Sequence, residues 1–253
     1  MRRRLYHAPG VARGADTPAF AGEGHKVVVR AVSAAGAGKA LGKDTTKRWQ
    51  VLRCMLLCLA CGIVDAVGYL RHGIFAANMT GNTVLLGISL AQMHWESALE
   101  RALPLLIFFA GAMLARLLLV HTGQRPWVPL VLASALIVVA LAVVPSSLIS
   151  LSLITFAMGI QATAMTQFAG ITLSTVVITS TMARIAEAFA DRLSPAAPEP
   201  TAKSPPLPLY LLTWGCYLAG ALIAALGGYA HPLAAMAAAA ILILMAAAIT
   251  RIE

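Results

Sequence analysis

The amino-acid sequence predicts an all-α protein, a polytopic transmembrane helical bundle of six to eight segments with an internal two-fold repeat. Of its 253 residues, 59% are hydrophobic and 11% are charged, whereas soluble domains carry about 25% charged residues. Apolar stretches follow one another from Val51 almost to the C-terminus, and most approach the roughly 20 residues that cross a bilayer. Similar residues also recur in the two halves of the chain.

Residues 1–48 form a basic N-terminal tail without a continuous apolar run, and we expect this tail to be disordered. Up to Arg53 the chain holds eleven bases and three acids, so most of the net charge of +9 lies there. A basic flank before the first span favours a cytoplasmic N-terminus and attraction to anionic lipid. No nucleic acid is expected as a partner, because no binding fold or aromatic platform accompanies the charge.

The transmembrane domain is expected at 49–253. Its repeat halves lie at about 51–146 and 147–250, and a proline-rich loop occupies 194–208. Apolar helices are predicted at 51–70, 74–91, 103–120, 127–144, 147–167, 171–190, 207–229 and 232–250. Prolines fall at or near several of these ends, where they are tolerated. The second and sixth segments are short or polar.

The third and seventh segments carry the clearest repeat. LPLLIFFAGAMLARLL from Leu103 matches LPLYLLTWGCYLAGAL from Leu207. Both copies hold two small residues four positions apart, namely Gly111 with Ala115 and Gly215 with Ala219. Such pairs permit close approach of helices in lipid.

Polar side chains interrupt the apolar segments in both halves. They are costly in hydrocarbon, so we expect them to face a protein interior or a wet cavity. The candidate substrate- or ion-binding residues are Asp65, Asn78, Thr80, Asn82, Gln161 and Thr179. Duplicated halves that meet around interrupted helices are typical of transporters. The competing interpretation is a membrane scaffold or assembly partner, in which these residues only hydrogen-bond helices together.

Asp65 is also predicted to form an ion pair with Arg116, the base buried in the third segment. Eight spans would give halves related in parallel and place both charges at similar depth. Six spans with two re-entrant hairpins would give inverted halves and place the charges toward opposite faces. The second segment is just long enough to span, which slightly favours eight.

The sequence offers little support for catalysis or metal binding. It lacks G-x-S-x-G, H-E-x-x-H and a Walker-type glycine-rich loop, so we expect neither an enzyme nor a cofactor. Cys54, Cys58 and Cys61 share one helix face. No histidine lies near them in sequence, and small apolar residues in a packed seam are the preferred interpretation over a metal site.

The motif D-A-V-G-Y-L-x-x-G-x-F-A-A-N-M-T-G-N, from Asp65 to Asn82, resembles the YoaK-like family of small bacterial inner-membrane proteins. F-A-M-G-I-Q-A, from Phe156 to Ala162, resembles that family's second motif. The resemblance covers about 50–250 and implies a multi-pass protein of the inner (plasma) membrane, without an activity to carry over. The leading functional hypothesis is therefore a transporter of a small solute or ion, with the lipid bilayer as the other expected partner.

Overall fold

A computed structural model describes residues 24–143, 147–166, 177–193, 207–227 and 231–252. Its helices are α1 (Gly24–His72), α2 (Met79–Ala91), α3 (Trp95–His121), α4 (Trp127–Val143), α5 (Leu148–Thr166), α6 (Val177–Leu193), α7 (Leu207–Gly227) and α8 (Pro232–Ile252). No strand occurs in these ranges, which confirms the predicted all-helical class. The predicted loop at 194–208 lies outside the described residues, except for its last two positions, which begin α7.

The N-terminal region differs from the prediction of disorder up to residue 48. Residues 1–23 lie outside the described residues, but α1 already begins at Gly24. The chain holds no proline between Pro18 and Pro104, so nothing interrupts a helix that is rich in alanine here. Contacts divide the chain into two units, Met1–Thr45 and Thr46–Glu253. The helical bundle belongs to the second unit.

In the part of the chain that the structure describes, four helices are long and apolar enough to cross a membrane by length and composition: Arg48–His72 of α1, Trp95–His121, Leu207–Gly227 and Pro232–Ile252. Three described helices are shorter but apolar, namely α2, α4 and α5; of these, α4 and α5 span about 25 Å or more at 1.5 Å per residue. The buried core lies mainly between α1, α4, α5 and α8 and includes Leu57, Val64, Ile137, Met158 and Ile243.

The end of the bundle at which α1 terminates is called here the upper end. A cleft there is lined by residues from the last turns of α1 and α4 and from the first turns of α5 and α8, among them His72, Leu141, Ser150 and Leu233. Therefore α1 and α4 end at the upper end, whereas α5 and α8 begin there.

Contacts between α4 and α8 agree with this orientation. The Ser134 hydroxyl donates to the Ala240 carbonyl at 2.9 Å. The Arg251 guanidinium lies 5.4 Å from the centre of the Trp127 ring, so the end of α8 meets the start of α4. The two helices are antiparallel, and Trp127 and Arg251 mark the opposite, lower end.

Helix α3 runs in the same direction as α5. Glu100 and Pro104 near its start lie beside Leu148 and Leu151 at the start of α5. Further along, Gly111 packs on the backbone of α5. Since α1 ends and α3 begins at the upper end, the segment between them enters and leaves the bundle at the same end, and it is re-entrant.

The second half has the opposite orientation. Helix α5 runs down to Thr166, while α7 ends at Gly227, only a few residues before α8 starts at the upper end. Within the described residues, six helices thus run from end to end, α1, α3 and α4 in the first half and α5, α7 and α8 in the second. This arrangement of helix ends favours the six-span alternative with inverted halves over the slight preference for eight spans, and the number of membrane crossings stays a prediction.

Pairs of glycines bring the halves into backbone contact at two places. A Cβ atom on Gly111 would overlap the carbonyl of Phe156 in α5, and one on Gly159 would overlap the carbonyl of Phe108 in α3. In the same way, Gly62 of α1 meets Tyr217 and Gly220 of α7 meets Leu59. Both crossings need glycine because any side chain would force the backbones apart.

These contacts correct one part of the predicted repeat. Gly111 makes the expected close approach, but nothing lies within 4 Å of a Cβ placed on Gly215. Gly220 takes that role in α7, one and a half turns further along, because it faces α1. Duplication of the sequence itself stays a prediction.

Candidate functional site

The re-entrant segment consists of residues 73–78, called here the arm, followed by α2. Gly73 has φ of +64°, a conformation that glycine adopts without strain, and its N–H donates to the Tyr69 carbonyl at 2.8 Å. The chain therefore reverses directly after α1. Gly68 leaves room for the returning arm, since a Cβ there would lie 2.8 Å from the Ile74 carbonyl oxygen.

The side chain of Asp65 anchors the arm. It is only 2% exposed and lies about 10 Å of helix rise below His72. Its Oδ1 accepts from the backbone N–H of Ala77 at 2.6 Å and of Asn78 at 3.0 Å. Its Oδ2 accepts from the Tyr217 hydroxyl of α7 at 2.8 Å. A single carboxylate thus joins α1, the arm and α7, with three donors replacing water around a buried charge.

Two asparagines complete the hairpin. Asn78 is the N-cap of α2, and its Oδ1 accepts from the Gly81 N–H at 3.1 Å, as N-cap side chains do. Asn82 is fully buried and binds both backbone groups of Phe75: its Oδ1 accepts from the N–H at 2.9 Å and its Nδ2 donates to the carbonyl at 2.7 Å. Asn82 thus supplies hydrogen-bond partners to a backbone position that lies outside any helix.

Aromatic packing closes the hairpin on its outer side. The Phe75 ring stacks on Tyr69 with centroids 4.7 Å apart. A Cβ on Gly81 would lie 2.8 Å from the same Phe75 ring, so glycine is needed here for packing. The polar residues of the motif from Asp65 to Asn82 are therefore explained by the hairpin that the arm and α2 form at membrane depth.

The structure brings together only three of the six candidate residues. Asp65, Asn78 and Asn82 meet at the arm. Thr80 is exposed on α2, and Thr179 lies in α6, where its side chain is outside the described part of the chain. Neither threonine is placed beside Asp65 by any contact in the described residues.

Gln161 occupies a separate position between α1 and α5. It is fully buried, and its Nε2 donates to the Leu57 carbonyl at 3.2 Å and to the Cys61 sulfur at 3.2 Å. Its Oε1 is buried without a hydrogen-bond partner. These contacts lie one to two turns below Asp65 on α1, so Gln161 does not share the site at the arm.

The predicted ion pair between Asp65 and Arg116 is not formed. Among the described residues no salt bridge joins them, and Arg116 is exposed on α3. Because α3 descends from the upper end, Arg116 lies in the lower half of the bundle, whereas Asp65 lies in the upper half. The neutral donors described above satisfy the carboxylate instead.

Two residues important here were not among the candidates. Tyr217 lies within an apolar helix. A buried tyrosine hydroxyl usually requires a hydrogen-bond partner, so this tyrosine could have been predicted to contact a polar residue. Thr155 of α5 is 1% exposed and its hydroxyl has no partner; helical threonines usually bond their own backbone, so sequence gave no hint of this.

Three of the cysteines lie on the side of α1 that faces the core, where Cys58 packs against the buried residues. Cys54 and Cys61 are buried, and all four thiols are free. Of the described residues, no three His, Cys, Asp or Glu side chains lie close enough together to hold a metal ion.

Comparison with known proteins identifies the matching family. Residues 54–249 match the family described as "Protein of unknown function (DUF1275)". The chain is 34% identical over 151 residues to the "UPF0700 transmembrane protein YoaK" of Bacillus subtilis (strain 168), a match that covers 54% of this chain and 66% of that protein. The match thus spans slightly less than two thirds of the relative. No solved structure matches the chain.

Proposed function

Since the chain belongs to the YoaK-like family of membrane proteins of unknown function, we propose that it transports a small solute or ion, with the arm and α2 as its upper gate. The observation that carries this proposal is the arm itself. Non-helical backbone at membrane depth is tolerated only where protein buries it or where it lines a wet cavity. An arm held by side chains rather than by a helix can move without unfolding a span.

The orientation of the two halves supports this function. Opposed halves with interrupted segments are a recurring architecture of secondary transporters, in which one half moves against the other. Here the glycine crossings allow α1 to contact α7 and α3 to contact α5 through backbone atoms. Such smooth contacts suit sliding or rocking of the halves.

We further propose that the lower end faces the cytoplasm and that the membrane is the bacterial inner membrane. Within the second unit, the lower end carries Arg48 at the start of the first span, Arg125 and Arg251. The upper end carries two arginines, Arg71 and Arg101. An excess of Lys and Arg on one side is typical of the cytoplasmic side.

A specific observation favours the alternative, a membrane scaffold. Both oxygens of Asp65 and both amide atoms of Asn82 are occupied by bonds within the protein. Groups satisfied in this way need no solute to complete them. In a scaffold the arm would be static, and the polar residues would only fix the helices.

Solute flux into vesicles separates these functions. The full chain is reconstituted into liposomes, and swelling or tracer uptake is measured for neutral, anionic and cationic solutes. We expect flux above that of empty liposomes for at least one class. Asp65→Ala, which removes the anchor of the arm, is expected to lower this flux about tenfold, which corresponds to about 1.4 kcal/mol. Asp65→Asn, which retains one acceptor, should fall between the two.

Ser134→Ala is the matched control, because Ser134 is buried and hydrogen-bonded between α4 and α8, away from the arm. It should retain wild-type flux. All variants are compared at equal amounts of monodisperse protein. Absence of flux for every solute class in the wild type, with folded protein in the vesicles, would support the scaffold.

A further inference from the structure

Helices α1 and α7 meet along two ridges of small residues. Each ridge holds three residues spaced four apart: Cys58, Gly62 and Ala66 on α1, and Cys216, Gly220 and Ala224 on α7. Residues at this spacing form a continuous row on the surface of a helix. The two rows are called here the α1 ridge and the α7 ridge.

The glycines of these ridges determine how the two helices touch. A Cβ atom on Gly62 would overlap the Tyr217 carbonyl, and one on Gly220 would overlap the Leu59 carbonyl. The helices are therefore in backbone contact at the glycines. When ridges of this spacing pack together, they follow one another across the contact, so residues at equal steps from the two glycines face each other.

Each ridge carries a cysteine one turn before its glycine. Because α1 and α7 both end at the upper end, Cys58 and Cys216 lie on the same side of the crossing, about 6 Å of helix rise away from it. The two thiols are close enough to interact electrostatically. Both are partly exposed, whereas Cys54 and Cys61 are buried. One thiol from each half thus lies opposite the other at the rim of the contact.

The closeness of the helices suits a covalent bond between these thiols. A disulfide needs Cα atoms about 4.4–6.8 Å apart. Helix axes usually lie about 8–10 Å apart, but small residues let helices in lipid approach more closely. One turn from such a crossing the helices have separated little, so the pair is within reach of a disulfide.

We propose that Cys58 and Cys216 form a reversible disulfide that locks α1 to α7 when a membrane-permeant two-electron oxidant reaches them. Both S–H bonds break and one S–S bond forms, and the oxidant takes up the two electrons and the two protons. A thiol reductant reverses the step by exchange. The oxidant has to be permeant because both residues lie within candidate spans, with Cys58 about 21 Å of helix rise before the end of α1.

The lock acts on the helices that hold the arm. Helix α1 carries Asp65, and α7 carries the Tyr217 hydroxyl that donates to it. A disulfide between the two helices prevents them from sliding past one another. The effect on transport rests on the proposed function, whereas formation of the disulfide rests on the crossing alone.

The test uses diamide, a membrane-permeant diazene that is reduced to a hydrazine as two thiols become a disulfide. The full chain in liposomes is treated, denatured and labelled with a maleimide. We expect the four free thiols of the wild type to fall to two, peptide mapping to identify the Cys58–Cys216 disulfide, and dithiothreitol to restore all four. The oxidised protein should also melt at a higher temperature, because the disulfide closes a long loop of chain.

Alanine variants show whether this pair is responsible. Cys58→Ala and Cys216→Ala should each keep their three remaining thiols after diamide. Cys54→Ala is the matched control, because Cys54 lies one turn before Cys58 on the same helix, and it should lose two of its three thiols as the pair forms. Four thiols in treated wild type, a disulfide between other cysteines, or one between two chains would overturn the proposal.

Solute flux separates the lock from the transporter. Oxidation should abolish flux in the wild type and in Cys54→Ala, dithiothreitol should restore it, and Cys58→Ala should be insensitive to diamide. Unchanged flux in fully oxidised protein would overturn the lock and leave transport standing. A Cys58–Cys216 disulfide in a chain that shows no flux before oxidation would sustain the crosslink and remove the transporter.

Discussion

The Tyr217 hydroxyl donates a 2.8 Å hydrogen bond to Oδ2 of Asp65, 152 residues earlier in the chain. This bond links the two halves at the point where the arm is anchored, since the other oxygen of Asp65 accepts from Ala77 and Asn78. One side chain thereby connects α7 to the arm. Tyr217 therefore helps to position the carboxylate that anchors the arm.

Tyr217→Phe should destabilise the protein, because it removes one of three donors to a buried carboxylate. We expect a loss of about 1–3 kcal/mol, measured as a lower melting temperature in detergent. Tyr210→Phe, in the same helix, is the control, since its hydroxyl makes no bond to Asp65. Equal melting temperatures for Tyr217→Phe and the wild type would show that the bond contributes nothing.

Asp65 should be energetically coupled to Tyr217 and uncoupled from Arg116. In a double-mutant cycle, Asp65→Asn with Tyr217→Phe should be non-additive by about 0.5–3 kcal/mol, whereas Asp65→Asn with Arg116→Leu should be additive within about 0.5 kcal/mol. Melting or denaturant unfolding of the three single and two double variants, compared with the wild type, supplies the numbers. Strong coupling to Arg116 would restore the ion pair that the sequence suggested.

The two glycines of α7 should respond differently to the same substitution. Gly220→Ala places a methyl group against the Leu59 carbonyl of α1, and overpacking of this kind costs about 1–3 kcal/mol. Gly215→Ala meets nothing within 4 Å and should be neutral or slightly stabilising, because alanine favours helix over glycine by about 1 kcal/mol. Comparison of their melting temperatures tests which face of α7 contacts α1.

Asn82→Ala should loosen the arm while leaving the six crossing helices folded. It removes both bonds to Phe75, so the backbone amides of the arm should exchange with deuterium faster. Hydrogen exchange followed by mass spectrometry over residues 73–78 measures this. Ser89→Ala, which removes a bond within α2 to the Leu85 carbonyl, should leave exchange in the arm unchanged.

Particular residues show how far the sequence could predict this structure. The crossing helices were found because each is a long apolar run bounded by polar residues or proline. The arm was missed because Ile74, Ala76 and Ala77 are as apolar as the α2 that follows, so one continuous helix fitted equally well. Hydrophobicity reports how costly a segment is to place in lipid, but it does not report whether the segment crosses the membrane or turns back. The packing of the helix ends shows that α1 ends and α3 begins at the same end of the bundle.

Only part of the candidate site could be predicted, because the sequence marks polar side chains but not their hydrogen-bond partners. Asp65 and Asn82 stand out as polar residues in an apolar context, and both proved to be buried and bonded. Their partners are mostly backbone N–H and C=O groups, which every residue carries and which no side-chain pattern distinguishes. Arg116 is the basic residue that the sequence offers as a partner for Asp65. Whether the two side chains lie at the same depth depends on the number of spans. Gly215 and Gly220 differ only in the face of α7 that they occupy.

The span number gives the most direct prediction. Tags inserted at Met93 and Gln124, both in turns with positive φ, should be accessible from opposite sides of the membrane. With α2 re-entrant, Met93 lies at the upper end and Gln124 at the lower end, on the side of the N-terminal flank of α1. Eight spans would exchange both positions. Labelling with an impermeant reagent in intact and opened cells, with a tag after Ile252 as the reference for the lower end, decides between the two arrangements. A Met93 tag labelled only after opening the cells, together with a C-terminal tag of the same behaviour, would contradict the re-entrant hairpin.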